Sequence, residues 1–196
     1  FFFGLGGASI LTGFATSPAG LLVGLTLIGL FSSIYHPVGI AWLVKHSVNR
    51  GRALGINGVF GNLGTGGAAI LAGVLADLIS WRFAFFVPGA IAIATGFAFI
   101  YLRRRGLIVE GADDAKVIPP APARDIRRVF LAMTVTVICV GLIFQSTAVA
   151  LPKIFSDRLI FISDGAMGAG ALVALVYLLA AGSQIIGGEL ADRYPL

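Results

Sequence analysis

Residues able to do chemistry are scarce in this chain, and a few polar ones stand inside long apolar runs. The 196 residues include two histidines, one cysteine and nine acids. His36 lies between Tyr35 and Pro37 in a stretch without charge. An imidazole donates, accepts and titrates near neutral pH, so His36 can be read as a solute contact or a proton carrier. The plainer alternative is a histidine satisfied by a neighbouring helix. Pro37 cannot donate to the carbonyl one turn earlier, which favours a kink there. Tyr35, Asn57, Asn62, Gln145, Tyr177 and Gln184 also stand in apolar runs. A polar side chain in hydrocarbon costs free energy unless it finds a partner, so each is a candidate site. The competing role for each is an interhelical hydrogen bond worth around 1 kcal/mol. Cys139, being alone, makes no intramolecular disulfide or Cys-x-x-Cys metal site and reads as a small packing residue. His46 falls in a basic segment. No cluster is left for a metal, no Gly-rich Lys motif for ATP, and no cofactor or enzymatic chemistry is expected.

The elements that must position these residues follow from where charge is missing. Hydrophobic residues make up 58% of the chain and charged ones 12%, against roughly 25% charged in a soluble domain. Residues 1–44, 53–76, 83–102, 129–152 and 165–188 contain no Asp, Glu, Lys or Arg. Each run meets the length of about 20 residues that a helix needs to cross a bilayer. This excludes a soluble enzyme or a nucleic-acid binder as a reading of the whole chain, and defines an all-α, polytopic membrane protein. The first run is twice too long for one crossing, and Ser17-Pro18-Ala19-Gly20 is the place to break it. Six transmembrane helices result, at 1–16 (truncated), 20–44, 53–76, 83–102, 129–151 and 166–188. Beginning on Phe1 and ending on Leu196, the chain reads as an internal piece of a longer protein.

Basic residues test that count, because cytoplasmic loops carry the Lys/Arg excess. Eleven of the fourteen fall in alternate joints: Lys45, Arg50 and Arg52; then Arg103, Arg104, Arg105, Lys116, Arg124, Arg127 and Arg128; then Arg193. The intervening joints hold Arg82, Lys153 and Arg158. The strict alternation puts the first set in the cytoplasm. Segment 103–128, with Pro119-Pro120-Ala121-Pro122, reads as an extended linker. It would join a bundle remainder at 1–102 to the start of a second bundle at 129–196.

Three segments carry a resemblance. Gly188-Glu189-Leu190-Ala191-Asp192-Arg193 resembles the G-x-L-A-D-R signature after the second and eighth helices of the major facilitator superfamily. Asn49-Arg50-Gly51-Arg52-Ala53-Leu54-Gly55 resembles that family's R-G-R-A-L-G, and Ser80-Trp81-Arg82-Phe83-Ala84-Phe85 its G-W-R-x-A-F. The six spans then match the third to eighth helices of a partial two-bundle fold. The resemblance implies a monomeric secondary transporter, moving a small solute by alternating access in a lipid bilayer, with a bacterial inner membrane as its expected place. It further implies that Asp192 caps a neighbouring helix and pairs with a basic residue, gating the cytoplasmic side together with Gly188, Arg193, Arg50 and Arg52. A proton is a further partner that such transporters couple to. Two alternatives stay open: proton-linked multidrug efflux and a non-transporting sensor on the same scaffold. Leu25, four residues before Gly29, stands where the family often has Arg. The antiporter signature G-P-x-x-G-G would fall on Ala68-Ala69-Ile70-Leu71-Ala72-Gly73 and keeps only its last Gly. Both departures count against a typical drug antiporter.

Two expectations concern packing. Gly55, Gly58, Gly61, Gly64 and Gly67, at three-residue steps, read as one groove for another helix backbone. Asp77 and Arg82, at the turn before the fourth span, are accounted for by pairing or hydration.

Overall fold

The computed structural model describes residues 1–108, 122–159, 161–162 and 165–194. Within them the chain forms α1 (Phe2–Gly13), α2 (Pro18–Ser32), a π-helical turn at His36–Ile40, α3 (Ala41–Lys45), α4 (Arg50–Leu78), α5 (Phe83–Arg104), α6 (Ala123–Arg158) and α7 (Gly165–Arg193). Among the described residues there is no strand. Apolar backbone in lipid must satisfy its own N–H and C=O groups, and helices do this locally.

Among the described residues, five helical stretches are long and apolar enough to cross a membrane: Pro18–Lys45, Arg50–Leu78, Phe83–Arg104, Ala123–Arg158 and Gly165–Arg193. The first of the six expected spans is the exception. α1 has 12 residues, about 18 Å of helix, too short to cross. The expected break is in place: Ser17 caps α2 by accepting the Gly20 N–H at 3.1 Å, and Pro18 takes the first helical position, where its missing N–H costs nothing. The span at 20–44 is not one regular helix. α2 stops at Ser32, and Pro37, which has no N–H to donate, lies inside the π-helical turn.

The other spans run past their expected ends, because α-helical hydrogen bonding continues through charged turns once the chain leaves the apolar layer. The longest, α6, has 36 residues; residues 123–128, expected in the linker, are its first turns. Residues 109–121, the core of the expected linker with its proline run, lie outside the described residues.

Few side chains are buried. The apolar ones are Ala8, Ala169, Val173, Tyr177 and Ala181, while large hydrophobics such as Leu22, Phe60, Val137 and Leu179 are exposed. Such a surface suits a hydrocarbon solvent, in which helices associate through close backbone approach and polar contacts rather than through burial from water. Two seams show this. In the first, α1 lies antiparallel to α5, Gly6 against Gly89. A Cβ on Gly6 would stand 2.6 Å from the Gly89 carbonyl oxygen. Ser9 Oγ donates to the Phe85 carbonyl at 2.8 Å. Arg82 Nη1 donates to the carbonyls of Gly13 (3.2 Å) and Ala15 (2.9 Å), closing the C-terminal end of α1. Arg82 therefore has a structural task in the Ser80-Trp81-Arg82 segment, beyond the pairing or hydration expected of it.

The second seam joins α4 to α7 along their whole length. A Cβ on Gly55 would stand 2.7 Å from the Gln184 carbonyl oxygen; one on Gly66 would stand 3.2 Å from the Ala174 Cα. Gly51 faces the Gly188 carbonyl, and Gly170 faces that of Ala69. The expected three-step glycine groove needs correcting. Gly61, Gly64 and Gly67 face open space, whereas Gly51, Gly55, Gly58, Gly66 and Gly73 meet α7. Three residues turn a helix by about 300°, so each step falls about 60° short of a full turn and leaves the seam.

Candidate functional site

At the end of the second seam that carries Arg50 and Arg193, hereafter the basic end, α4 starts without a local cap: the Asn49 side chain makes no capping hydrogen bond. The first N–H groups of a helix have no partner within it and carry its positive partial charge. Asp192, near the end of α7, supplies the acceptor. Its Oδ1 accepts the Gly51 N–H at 2.7 Å and its Oδ2 the Arg52 N–H at 2.8 Å. Short bonds from N–H to a carboxylate are of the stronger, charge-assisted kind. Gly188, one turn earlier, lets the backbones meet, since a Cβ there would strike the Gly51 carbonyl. The geometry is thus the helix cap that the G-x-L-A-D-R resemblance implies. The expected basic partner differs: both hydrogen bonds of Asp192 come from α4 main chain. Arg50, Arg52 and Arg193 are exposed around it.

The candidate solute contacts are partly brought together. Tyr35 Oη donates to Asn57 Oδ1, tying the π-helical turn region to α4. On the adjoining face of the same turn of α4, Gly58 meets the Gln184 side chain, whose Oε1 would lie 2.7 Å from a Cβ there. Asn62 follows one turn on, between Gly58 and Gly66 on the face that meets α7. Its Nδ2 is buried without a hydrogen-bond partner among the described residues. Tyr177 is buried against Gly66, and its ring stands edge-on to Phe144 of α6 at 6.4 Å. Tyr35, Asn57, Asn62, Tyr177 and Gln184 therefore follow α4 and its seam with α7.

Two candidates stand apart. His36 is exposed, its ring edge-on to Tyr35 at 5.6 Å, one residue outside the Tyr35–Asn57 link. Gln145 lines a shallow groove of about 570 Å³ made by α6 alone. A cavity of about 600 Å³ adjoins Tyr35 and is otherwise mostly aromatic and aliphatic, lined by Phe1, Phe2, Phe3, Trp42 and Phe99. A cavity of about 790 Å³ at the opposite end of the seam is lined by Gly73, Trp81, Lys153, Ser156 and Ala169, and by none of the candidate contacts. No group of three or more His, Cys, Asp or Glu able to hold a metal occurs among the described residues.

Asp77, expected only to be paired or hydrated, has a specific partner. From near the end of α4 it accepts the Met167 N–H at 2.8 Å and the Ala166 N–H at 3.3 Å, at the start of α7. The signal was present: Gly73-Val74-Leu75-Ala76-Asp77 repeats the G-x-L-A-D of Gly188 to Asp192.

Membrane-length helices, glycine seams and an interhelical aspartate cap define a polytopic helical membrane protein with polar groups set along one seam. The family model of the Major Facilitator Superfamily matches residues 1–196, and the chain belongs to that family. It is a membrane transporter. No curated protein and no solved structure matches the chain.

Proposed function

We propose that the protein moves a small solute by alternating access, and that Asp192 is a gating residue at the cytoplasmic end of the α4–α7 seam. The observation that carries this reading is the two-point grip of Asp192 on the Gly51 and Arg52 N–H groups. It joins two helices that the resemblance assigns to different bundles, using polar contacts that can be remade. The seam beyond it is built largely from glycine and alanine, with Asn62, Tyr177 and Gln184 among its larger members. It holds few interdigitated large side chains whose packing would have to be broken.

The solute contacts are Tyr35, Asn57, Asn62, Tyr177 and Gln184. Asn62 supports this best: an unpaired buried donor costs about 1 to 3 kcal/mol, which a bound polar solute would offset. These amide and phenol groups suit a neutral or anionic polar solute. His36, beside Tyr35, is the group that could carry a coupled proton. The excess of basic residues at the Arg50/Arg193 end supports a cytoplasmic placement for that end. A monomer in a bacterial inner membrane is the matching assembly and location.

The test is solute flux by the complete protein in proteoliposomes, with Asp192→Asn beside it. The variant should accumulate normally and lose about tenfold or more in flux, since hydrogen bonds to a charged group typically contribute about 1.5 to 3 kcal/mol. Full flux at normal protein level would remove the gating role.

A further inference from the structure

α4 and α7 are helices of equal length, 29 residues each, lying antiparallel. Their contacts repeat under exchange of the two. Asp192 is the second-to-last residue of α7 and grips the second and third N–H groups of α4; Asp77 is the second-to-last residue of α4 and grips the second and third N–H groups of α7. Four residues before each aspartate stands a glycine whose Cβ would strike the carbonyl of the opposite helix's second residue: Gly188 against Gly51, Gly73 against Ala166. One turn further along, Gly55 meets the Gln184 carbonyl and Gly170 that of Ala69. The seam thus has an internal two-fold symmetry that exchanges its two ends. Both copies of G-x-L-A-D do the same physical work, a carboxylate on the positive end of a facing helix.

We infer that Asp77 is a second gating residue, closing the far end of the seam as Asp192 closes the basic end. The inference rests on the alternating-access reading. The two ends are bridged at once in this structure, so each must release separately for a solute to enter from one side and leave from the other. Opening either end costs the two hydrogen bonds of one aspartate, at 2.7 and 2.8 Å for Asp192 and at 2.8 and 3.3 Å for Asp77. A transporter needs the two open states to differ little in free energy, because a large imbalance would strand it on one side. Gly165 supports a dedicated contact: its φ of +75° favours glycine, and a Cβ there would lie 2.8 Å from Asp77 Oδ2. That backbone lets the start of α7 approach the carboxylate.

Distances between spin-label pairs test this in the complete protein in lipid, with Cys139 replaced by Ser. One pair, at exposed positions 78 and 167, reports the far end; the other, at exposed positions 48 and 194, reports the basic end. Asp77→Asn should raise the long-distance population of the 78/167 pair about tenfold, given the usual worth of hydrogen bonds to a charged group, and leave the 48/194 pair closed. Asp192→Asn should do the reverse. An unmoved 78/167 distance in Asp77→Asn overturns the inference. If that variant does not accumulate, Gly165→Ala disturbs the same contact and must lengthen the same distance, or the inference falls. Flux is measured separately. Intact flux with an unmoved far-end distance sinks the Asp77 gate alone, whereas absent flux from the unsubstituted protein sinks the transport reading while the distances still judge the contact.

Discussion

The α1–α5 and α4–α7 seams both let helix backbones touch through glycine, yet they are finished differently. Along α1–α5 the glycines are bracketed by large side chains and fixed hydrogen bonds. Phe14 packs on Phe86 at 4.8 Å and Phe3 on Phe97 at 4.9 Å, while Arg82 closes the end of α1. Along α4–α7 the backbones meet at glycines flanked by alanines and by Tyr177 and Gln184, and the end of each helix is held by a carboxylate. The ring contacts of the first seam add to the hydrogen bonds that hold α1 against α5. Two carboxylate caps can be exchanged for water at the membrane surface at modest cost. The first seam is built to stay shut, and the second is suited to opening at its ends.

Substitutions separate the two kinds of seam by the measurement they disturb. The largest effect is expected from Gly89→Val, which drives a side chain into the Gly6 carbonyl and Ile10. Overpacking costs about 1 to 3 kcal/mol or more, so the variant should fail to accumulate in membranes, as read by yield and by thermal unfolding in detergent. A normal yield would show that the first seam is as yielding as the second.

Gly55→Ala comes next. Its Cβ would stand 2.7 Å from the Gln184 carbonyl, but the helices it separates are the ones that must move. The protein should accumulate, with flux reduced about tenfold, the rate equivalent of the lower part of the overpacking range. Loss of protein instead of flux would class this seam with α1–α5.

His36→Gln asks whether the group beside the Tyr35–Asn57 link takes part in coupling. Glutamine keeps a donor and an acceptor but cannot carry the proton. The dependence of flux on pH should flatten, while the half-saturation concentration stays unchanged. The opposite outcome, an intact pH profile with weaker half-saturation, would make His36 a solute contact. The smallest effect belongs to Gly61→Ala. Nothing lies within 4 Å of its Cβ position, so flux should be unchanged and stability should move by no more than about 1 kcal/mol, in the favourable direction. A large loss there would place an additional helix against that face.

Much of this was legible before the fold was known, for specific reasons. The break at Ser17-Pro18 was readable because a proline without an N–H and a serine able to cap act within one turn of chain. The irregular turn around Pro37 was readable on the same ground. Of the evenly spaced series Gly55 to Gly67 only Gly55 and Gly58 meet α7, because the 3.6-residue period selects Gly51, Gly55, Gly58, Gly66 and Gly73. The role of Asp77 was missed although its motif is a copy of the one around Asp192. A short pentapeptide repeat becomes informative only once the two helices that bear it are known to lie antiparallel and in contact.

What the sequence determined by itself is five helical stretches long and apolar enough to cross a membrane, though not the sixth, and the alternation of basic joints between them. Both depend on hydrophobicity and charge summed over about 20 consecutive residues, a local property that the bilayer reads segment by segment. What only the tertiary structure decided is which helix ends each aspartate caps. Asp192 finds its partner N–H groups about 140 positions away and Asp77 about 90. No local rule links residues so far apart: their pairing comes from the antiparallel fit of α4 against α7, where glycine brings the backbones close enough for a carboxylate to reach the facing helix.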